Sequence, residues 1–180
     1  FTTVIPNLGV WVPPESDYGN AATKGMTAGA GSTGLVLCDV PGLVAGAAEG
    51  VGLGHAFLRH VERCHVILHL VDATSVDAAA DFSMLNRELA RYGTGQLANM
   101  PQVVVVNKMD AFEEGIEENS EQGIESKLSK QELKDRLDEA MQHSRLMWMS
   151  AKEKDGVDDL MARMAKFVNN VKETKANTIE

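Results

Sequence analysis

The chain is short of aromatic residues, 5% of 180, has two cysteines, and carries no excess of basic charge: 17 Lys and Arg stand against 26 Asp and Glu, a formal net charge of −9. Each shortage excludes something. With few aromatics, the core must be built from Val, Leu, Ile, Ala and Met. Cys38 and Cys64 sit at the edges of apolar runs without metal-type spacing, which excludes a disulfide scaffold and makes a reducing compartment the default. The acidic balance argues against nonspecific nucleic-acid binding by the whole surface, though a local contact stays open. No run of 18 apolar residues exists, and Phe1, Thr2 and Thr3 are neither basic nor a hydrophobic signal core. No membrane span or export signal is therefore expected. What is present is 44% hydrophobic residues and 16 glycines, enough for one domain with a core and glycine-rich turns.

Four short apolar runs read as strands covered on both faces: 34–39 (GLVLCD), 65–72 (HVILHLVD), 102–106 (QVVVV) and 146–149 (LMWM). Helical patterns fall at Phe57 to Arg63, Asp77 to Tyr92, Lys127 to His143 and Val157 to about Val171. Strand-then-helix order predicts an α/β domain with a mainly parallel sheet and helices on both faces. Asn7 to Val12, between Pro6 and the Pro13-Pro14 pair, predicts an edge strand. Residues 15–34 are rich in Gly, Ala, Ser and Thr and read as a flexible insertion in a hairpin between 12 and 35. Residues 113–125 carry six carboxylates and no cation, the pattern of a solvated acidic loop. The domain is expected over 1–172, with 173–180 as a tail.

The sharpest motif is Asn107-Lys108-Met109-Asp110, directly after the VVVV run. Chance would place Asn-Lys-x-Asp in a chain of this length about 2% of the time. A carboxylate can accept both the ring N–H and the exocyclic amine of guanine, donors that adenine does not present together, so Asp110 would set base identity. Asn107 can brace the loop and touch the base, and the Lys108 stem can lie along its face. The plainer alternative is a strand-end turn, which Asn and Asp favour. A second motif, Asp39-Val40-Pro41-Gly42, also ends an apolar strand, where ligands of open parallel sheets collect. Its carboxylate can hold hydrated Mg²⁺, and Gly42 lets a backbone N–H approach a phosphate; the alternative is an ordinary Pro-Gly turn. Ser150-Ala151-Lys152 follows the last strand, where backbone N–H groups could reach the guanine carbonyl. The order of the three motifs, each at the end of a different strand, is worth more than any one of them.

These residues make the chain resemble the Obg (CgtA) GTPases, most specifically in Phe1 through Val10 (FTTVIPNLGV) and Asp39 through Asp72 (DVPGLVAGAAEGVGLGHAFLRHVERCHVILHLVD). The resemblance implies a Ras-like P-loop GTPase fold that binds GTP or GDP with Mg²⁺. Thr3 would then be the switch threonine on the metal together with Asp39. Phe1, Thr2, Thr3, Val4 and Ile5 would line the nucleotide, and Asp39, Val40, Pro41 and Gly42 would meet phosphate and metal. Asn107, Lys108, Met109 and Asp110 would hold guanine, and Ser150, Ala151 and Lys152 would complete the base pocket. It further implies a role in assembly of the large ribosomal subunit and its rRNA, in a bacterial-type cytoplasm or an organelle matrix. The 15–34 insertion tips that choice toward an organelle.

Two departures matter. No Gly-Lys-Ser or Gly-Lys-Thr occurs in the chain, so the phosphate-cradling loop and the central strand feeding it are expected upstream of Phe1. Leu43 stands where Ras-like enzymes place a water-orienting glutamine. Turnover is expected to be slow and to depend on a partner, a monovalent cation such as K⁺, or another residue. Two other readings stay open: an inactive docking module, and a translation-associated GTPase of the related DRG type. His65 and His69 share a strand face but lack metal spacing, and Trp11, Trp148 and the late methionines read as packing residues.

Overall fold

The computed structural model describes residues 7–12, 34–39, 61–91, 95–113 and 128–177. Two stretches of strand pair antiparallel: β1 (Asn7–Trp11) and β2 (Leu35–Asp39), with Asn7 opposite Asp39 and Trp11 opposite Leu35. This is the hairpin expected on either side of the insertion, most of which lies outside the described residues. A second sheet holds β3 (Ile67–Asp72), β4 (Gln102–Asn107) and β5 (Leu146–Trp148), all parallel in the order β3-β4-β5. Helices α1 (Ala78–Arg91), α2 (Lys130–Ala140) and α3 (Val157–Asn177) alternate with these strands.

Strand β4 organises the core. Its residues Val103 to Val106 are almost wholly buried, and strand alternation sends neighbours to opposite faces. Val104 and Val106 pack with Phe82 of α1 and with Leu133 and Leu137 of α2. Val103 and Val105 pack with Leu160, Met161 and Met164 of α3. Each such side chain contributes roughly 1.5–3 kcal/mol by leaving water. Leu35 and Trp11 join the α3 layer, so one helix covers both the hairpin and the parallel sheet. A third cluster, Val61, Leu89 and Leu97, closes the amino-terminal edge of β3 and β4.

Two helix boundaries differ from the sequence pattern. Helix α2 begins at Lys130, three residues later than expected, because Ser129 and Glu132 form a capping box: the Glu132 N–H donates to Ser129 Oγ, and the Ser129 N–H donates to Glu132 Oε2 at 2.8 Å. Helix α3 runs on to Asn177, through most of the residues expected as a tail. The predicted helix Phe57 to Arg63 falls largely outside the described residues. His65 lies ahead of β3 and not within it, so the expected sharing of a strand face with His69 does not arise.

His69 is buried in β3, stacked on Phe82 with ring centroids 4.8 Å apart and hydrogen-bonded to Gln102. Its Nδ1 has no hydrogen-bond partner among the described residues. Burial disfavours the imidazolium and lowers its pKa from an ordinary 6.5 to about 4. The unfolded chain therefore binds this proton more readily than the folded one. The stability contributed by keeping His69 neutral is fully present above about pH 6.5 and is lost on descending toward about pH 4, at roughly 1.4 kcal/mol per pH unit. Replacing His69 with Leu should flatten the fall in melting temperature across that interval. Parallel curves for the two proteins would show that His69 does not set the acid limit.

Candidate functional site

At the carboxyl edge of the parallel sheet three chain exits are laced together. The Ala73 N–H donates to the Asn107 carbonyl, the Met149 N–H to the Val106 carbonyl, and the Met109 N–H to the Met149 carbonyl. These bonds carry the ladder past the end of each strand, so the residues that follow have fixed positions. Lys108 takes a left-handed backbone conformation, φ 67°, which turns the chain from β4 into a helical turn over 109–113.

Side chains then bridge the exits of β4 and β5. Ser150 Oγ donates to Asp110 Oδ1 at 2.6 Å, and the Glu153 N–H donates back to the same hydroxyl. Lys152 Nζ lies 3.4 Å from Asp110 Oδ2. The Ala151 N–H donates to Asn107 Oδ1 at 3.0 Å. Ser150 is buried, 3% exposed, and its own N–H donates to the Asp155 carbonyl in a small antiparallel bridge. Gly156 closes that loop at φ 72°, where a Cβ would stand 2.8 Å from the Trp148 carbonyl oxygen, so no other residue fits without a shift. The Ser150 hydroxyl first, and Lys152 after it, hold the Asp110 carboxyl below its usual range despite some opposing desolvation. In return Glu153 and Asp110 raise the Lys152 ammonium.

On the other flank, Lys108 Nζ pairs with Asp72 Oδ2 at 2.5 Å. Asp72 Oδ1 accepts from the Thr74 N–H and hydroxyl at 2.9 and 2.7 Å. Burial pushes the Asp72 carboxyl up, but Lys108 and Thr74 outweigh it and hold the group below its usual range.

Of the predicted site residues, Asn107, Asp110, Ser150, Ala151 and Lys152 come together in one network. Lys108 borders it through Asn107. Asp39 ends β2 opposite Asn7, in the hairpin sheet. Phe1, Thr2, Thr3, Val4, Ile5, Val40, Pro41 and Gly42 lie outside the described residues. Met109, the variable position of the Asn-Lys-x-Asp turn, has its side chain buried in the core and its N–H bonded to Met149, so it spaces the polar residues on either side. Two backbone donors after β5 have partners within the chain. The Ser150 N–H is bonded to the Asp155 carbonyl and the Ala151 N–H to Asn107 Oδ1. Sequence reasoning missed Asp72, whose signal was a carboxylate ending the apolar run HVILHLVD, and missed the Asp155-Gly156 closure of the serine loop.

Chemically, the arrangement presents an oriented carboxylate beside an oriented amide. An ionised carboxylate offers about four lone-pair positions on two oxygens. After Ser150 and Lys152 are served, both oxygens retain capacity for a pair of parallel N–H donors. Because Asn107 Oδ1 is turned toward Ala151, its NH₂ is left as a donor. The site therefore suits a planar ligand with two adjacent donors and a nearby acceptor.

A parallel sheet with helices on both faces and polar turns at its carboxyl edge is the architecture of nucleotide-binding α/β domains, the Ras-like P-loop GTPases among them. Residues 1–108 match the family model described as 50S ribosome-binding GTPase. The chain is 46% identical over 114 residues to the GTPase Obg of Crocosphaera subtropica, covering 63% of this chain and 28% of that protein. It is 42% identical over 164 residues to the GTPase Obg of Acaryochloris marina, covering 91% of this chain and 38% of the relative. The figure for the GTPase Obg of Prochlorococcus marinus is 39% over 162 residues, or 90% and 40% of the two chains. The chain belongs to the 50S ribosome-binding GTPases, and among them to the Obg GTPases. It spans 28% to 40% of the length of these three relatives.

If the Ser150 hydroxyl sets the ionisation of Asp110, Ser150→Ala should move the Asp110 carboxyl upward toward the ordinary carboxylate range. Carbon-13 titration of the side-chain carboxyl reads this directly. An unmoved titration would assign the depression to Lys152 alone.

Proposed function

We propose that this chain carries the base-reading side of a molecular switch that binds GTP and GDP and hydrolyses GTP slowly. The observation that supports it most is the Asp110 carboxylate held by Ser150 and Lys152 beside the oriented Asn107 amide. Guanine offers its ring N–H and exocyclic amine to the two Asp110 oxygens, and an acceptor on its other edge to the Asn107 NH₂. Adenine lacks the paired donors on that edge, and the unpaired carboxylate would then be costly to desolvate. The methylene stems of Lys108 and Lys152 would border the flat ring.

Magnesium is assigned to Asp39 and Thr3. Asp39 is an exposed strand-end carboxylate, and among the described residues no cluster of three or more His, Cys, Asp or Glu side chains could hold a metal. One carboxylate ligand is enough for Mg²⁺, which keeps water and phosphate oxygens as most of its ligands. When bound, the ion neutralises charge on the phosphates. Leu43 can neither donate nor accept a hydrogen bond, so orientation of the attacking water falls to a partner, to a monovalent cation such as K⁺, or to another residue. The family description, 50S ribosome-binding GTPase, supports action on the large ribosomal subunit; to this our reading adds a role in its assembly and contact with its rRNA, as the resemblance to the Obg GTPases implies. With a net charge of −9, contact with rRNA would be local. Among the described residues no helix is long and apolar enough to cross a membrane, and we place the switch in a bacterial-type cytoplasm or an organelle matrix.

Asp110→Asn tests the base reading on the protein as its gene encodes it. The amide replaces one acceptor with a donor, which suits xanthine in place of guanine. The ratio of GDP to xanthosine diphosphate affinity should fall by at least about 100-fold, the combined worth of two charge-assisted hydrogen bonds. A variant that still prefers GDP as strongly as the parent protein rejects Asp110 as the selector.

A further inference from the structure

We propose that Asp72 is a positioning residue for nucleotide binding, which holds the Lys108 ammonium at the end of β3 and so keeps the lysine stem along the base-reading site. The inference rests on the base-reading function proposed above. Its geometry comes from the neighbouring strand. Asp72 lies opposite Asn107 in the parallel register, so its carboxylate arrives beside the first residue of the Asn-Lys-x-Asp turn. Thr74 fixes the carboxylate by donating twice to Oδ1, which leaves Oδ2 for Lys108 at 2.5 Å. Lys108 itself is held in a left-handed conformation, one that a lysine seldom adopts, between the Ala73–Asn107 and Met109–Met149 backbone bonds.

Both side chains are partly open to water, the lysine 56% and the aspartate 38% exposed, so the ion pair is worth little as a stabiliser of the fold. Its effect lies in the lysine, whose four-carbon stem has many rotamers when unpaired. Anchoring Nζ removes that freedom before the ligand arrives, and preorganisation of this kind appears in affinity. Asp72 contacts no part of the proposed base position and acts through Lys108.

A double-mutant cycle separates this role from simple support of the turn, with fluorescent N-methylanthraniloyl-GDP as the probe. Asp72→Asn keeps an acceptor for Thr74 and removes the charge facing Lys108. It should weaken probe binding about fivefold, the upper range for a solvent-exposed ion pair. In a Lys108→Met background, which keeps the stem and removes the ammonium, the same change should have no further effect. Equal losses in the two backgrounds, or no loss in the parent, would overturn the proposal. Asp72→Glu should recover at least half of the lost affinity; if Asp72→Asn does not fold, Asp72→Ser, which keeps an oxygen for Thr74 and lacks the charge, takes its place in the cycle. Retained guanine preference in Asp110→Asn would remove the underlying reading instead. A silent Asp72→Asn beside a shifted Asp110→Asn removes the positioning role alone.

Discussion

The hydrogen bond from the buried Ser150 hydroxyl to Asp110 is the constraint on which the site depends. It joins the exits of two neighbouring strands, and it does so with a side chain that has almost no contact with solvent. Everything that fixes Ser150 therefore fixes Asp110: the bridge to Asp155, the Glu153 N–H on the same oxygen, and the Gly156 turn that no side chain could occupy undisturbed. Beneath it lies β4, whose buried valines set the height of Asn107 and Asp110 against both helical layers. Core packing fixes where the exits are, and the hydroxyl fixes how they face each other.

The fold was readable where periodicity was strong. Uninterrupted valine runs marked β4, and the stripe from Val157 to Val168 marked α3, because burial on two faces or on one leaves different spacings. Reading faltered at helix ends. The Ser129-Glu132 capping box lies inside a charged, polar stretch, and its reciprocal bonds decide the start of α2 where hydrophobic pattern is silent. The last turns of α3, after Val171, are polar and exposed, so they carried no apolar signal although they are helical.

The candidate site was legible as motif and less so as geometry. Asn107, Asp110 and Ser150 announce themselves by residue type and by position after apolar runs. Which atom bonds to which depends on partners far apart in sequence, and residue type alone does not carry it. The Ser150 N–H is bonded to Asp155, and its hydroxyl is the group that reaches Asp110. Met109 sits inside the motif but belongs to the core, since the first helical turn after β4 carries its side chain back under the sheet. Asp72 was invisible as a site residue because nothing in its own sequence neighbourhood shows that Lys108, 36 positions away, comes to rest on it.

A common pattern of charge links the two flanks. The lysine after β4 pairs with the carboxylate that ends β3, and the lysine after β5 pairs with the carboxylate after β4. Each exit thus lends its cation to the exit before it, and the order of pairs follows the order of strands in the sheet. In a chain with a net charge of −9, two bare carboxylates on one edge would repel each other and any phosphate-bearing ligand. Pairing each with a lysine keeps both carboxylates ionised, so that Asp110 can act as the acceptor that the proposed base reading requires.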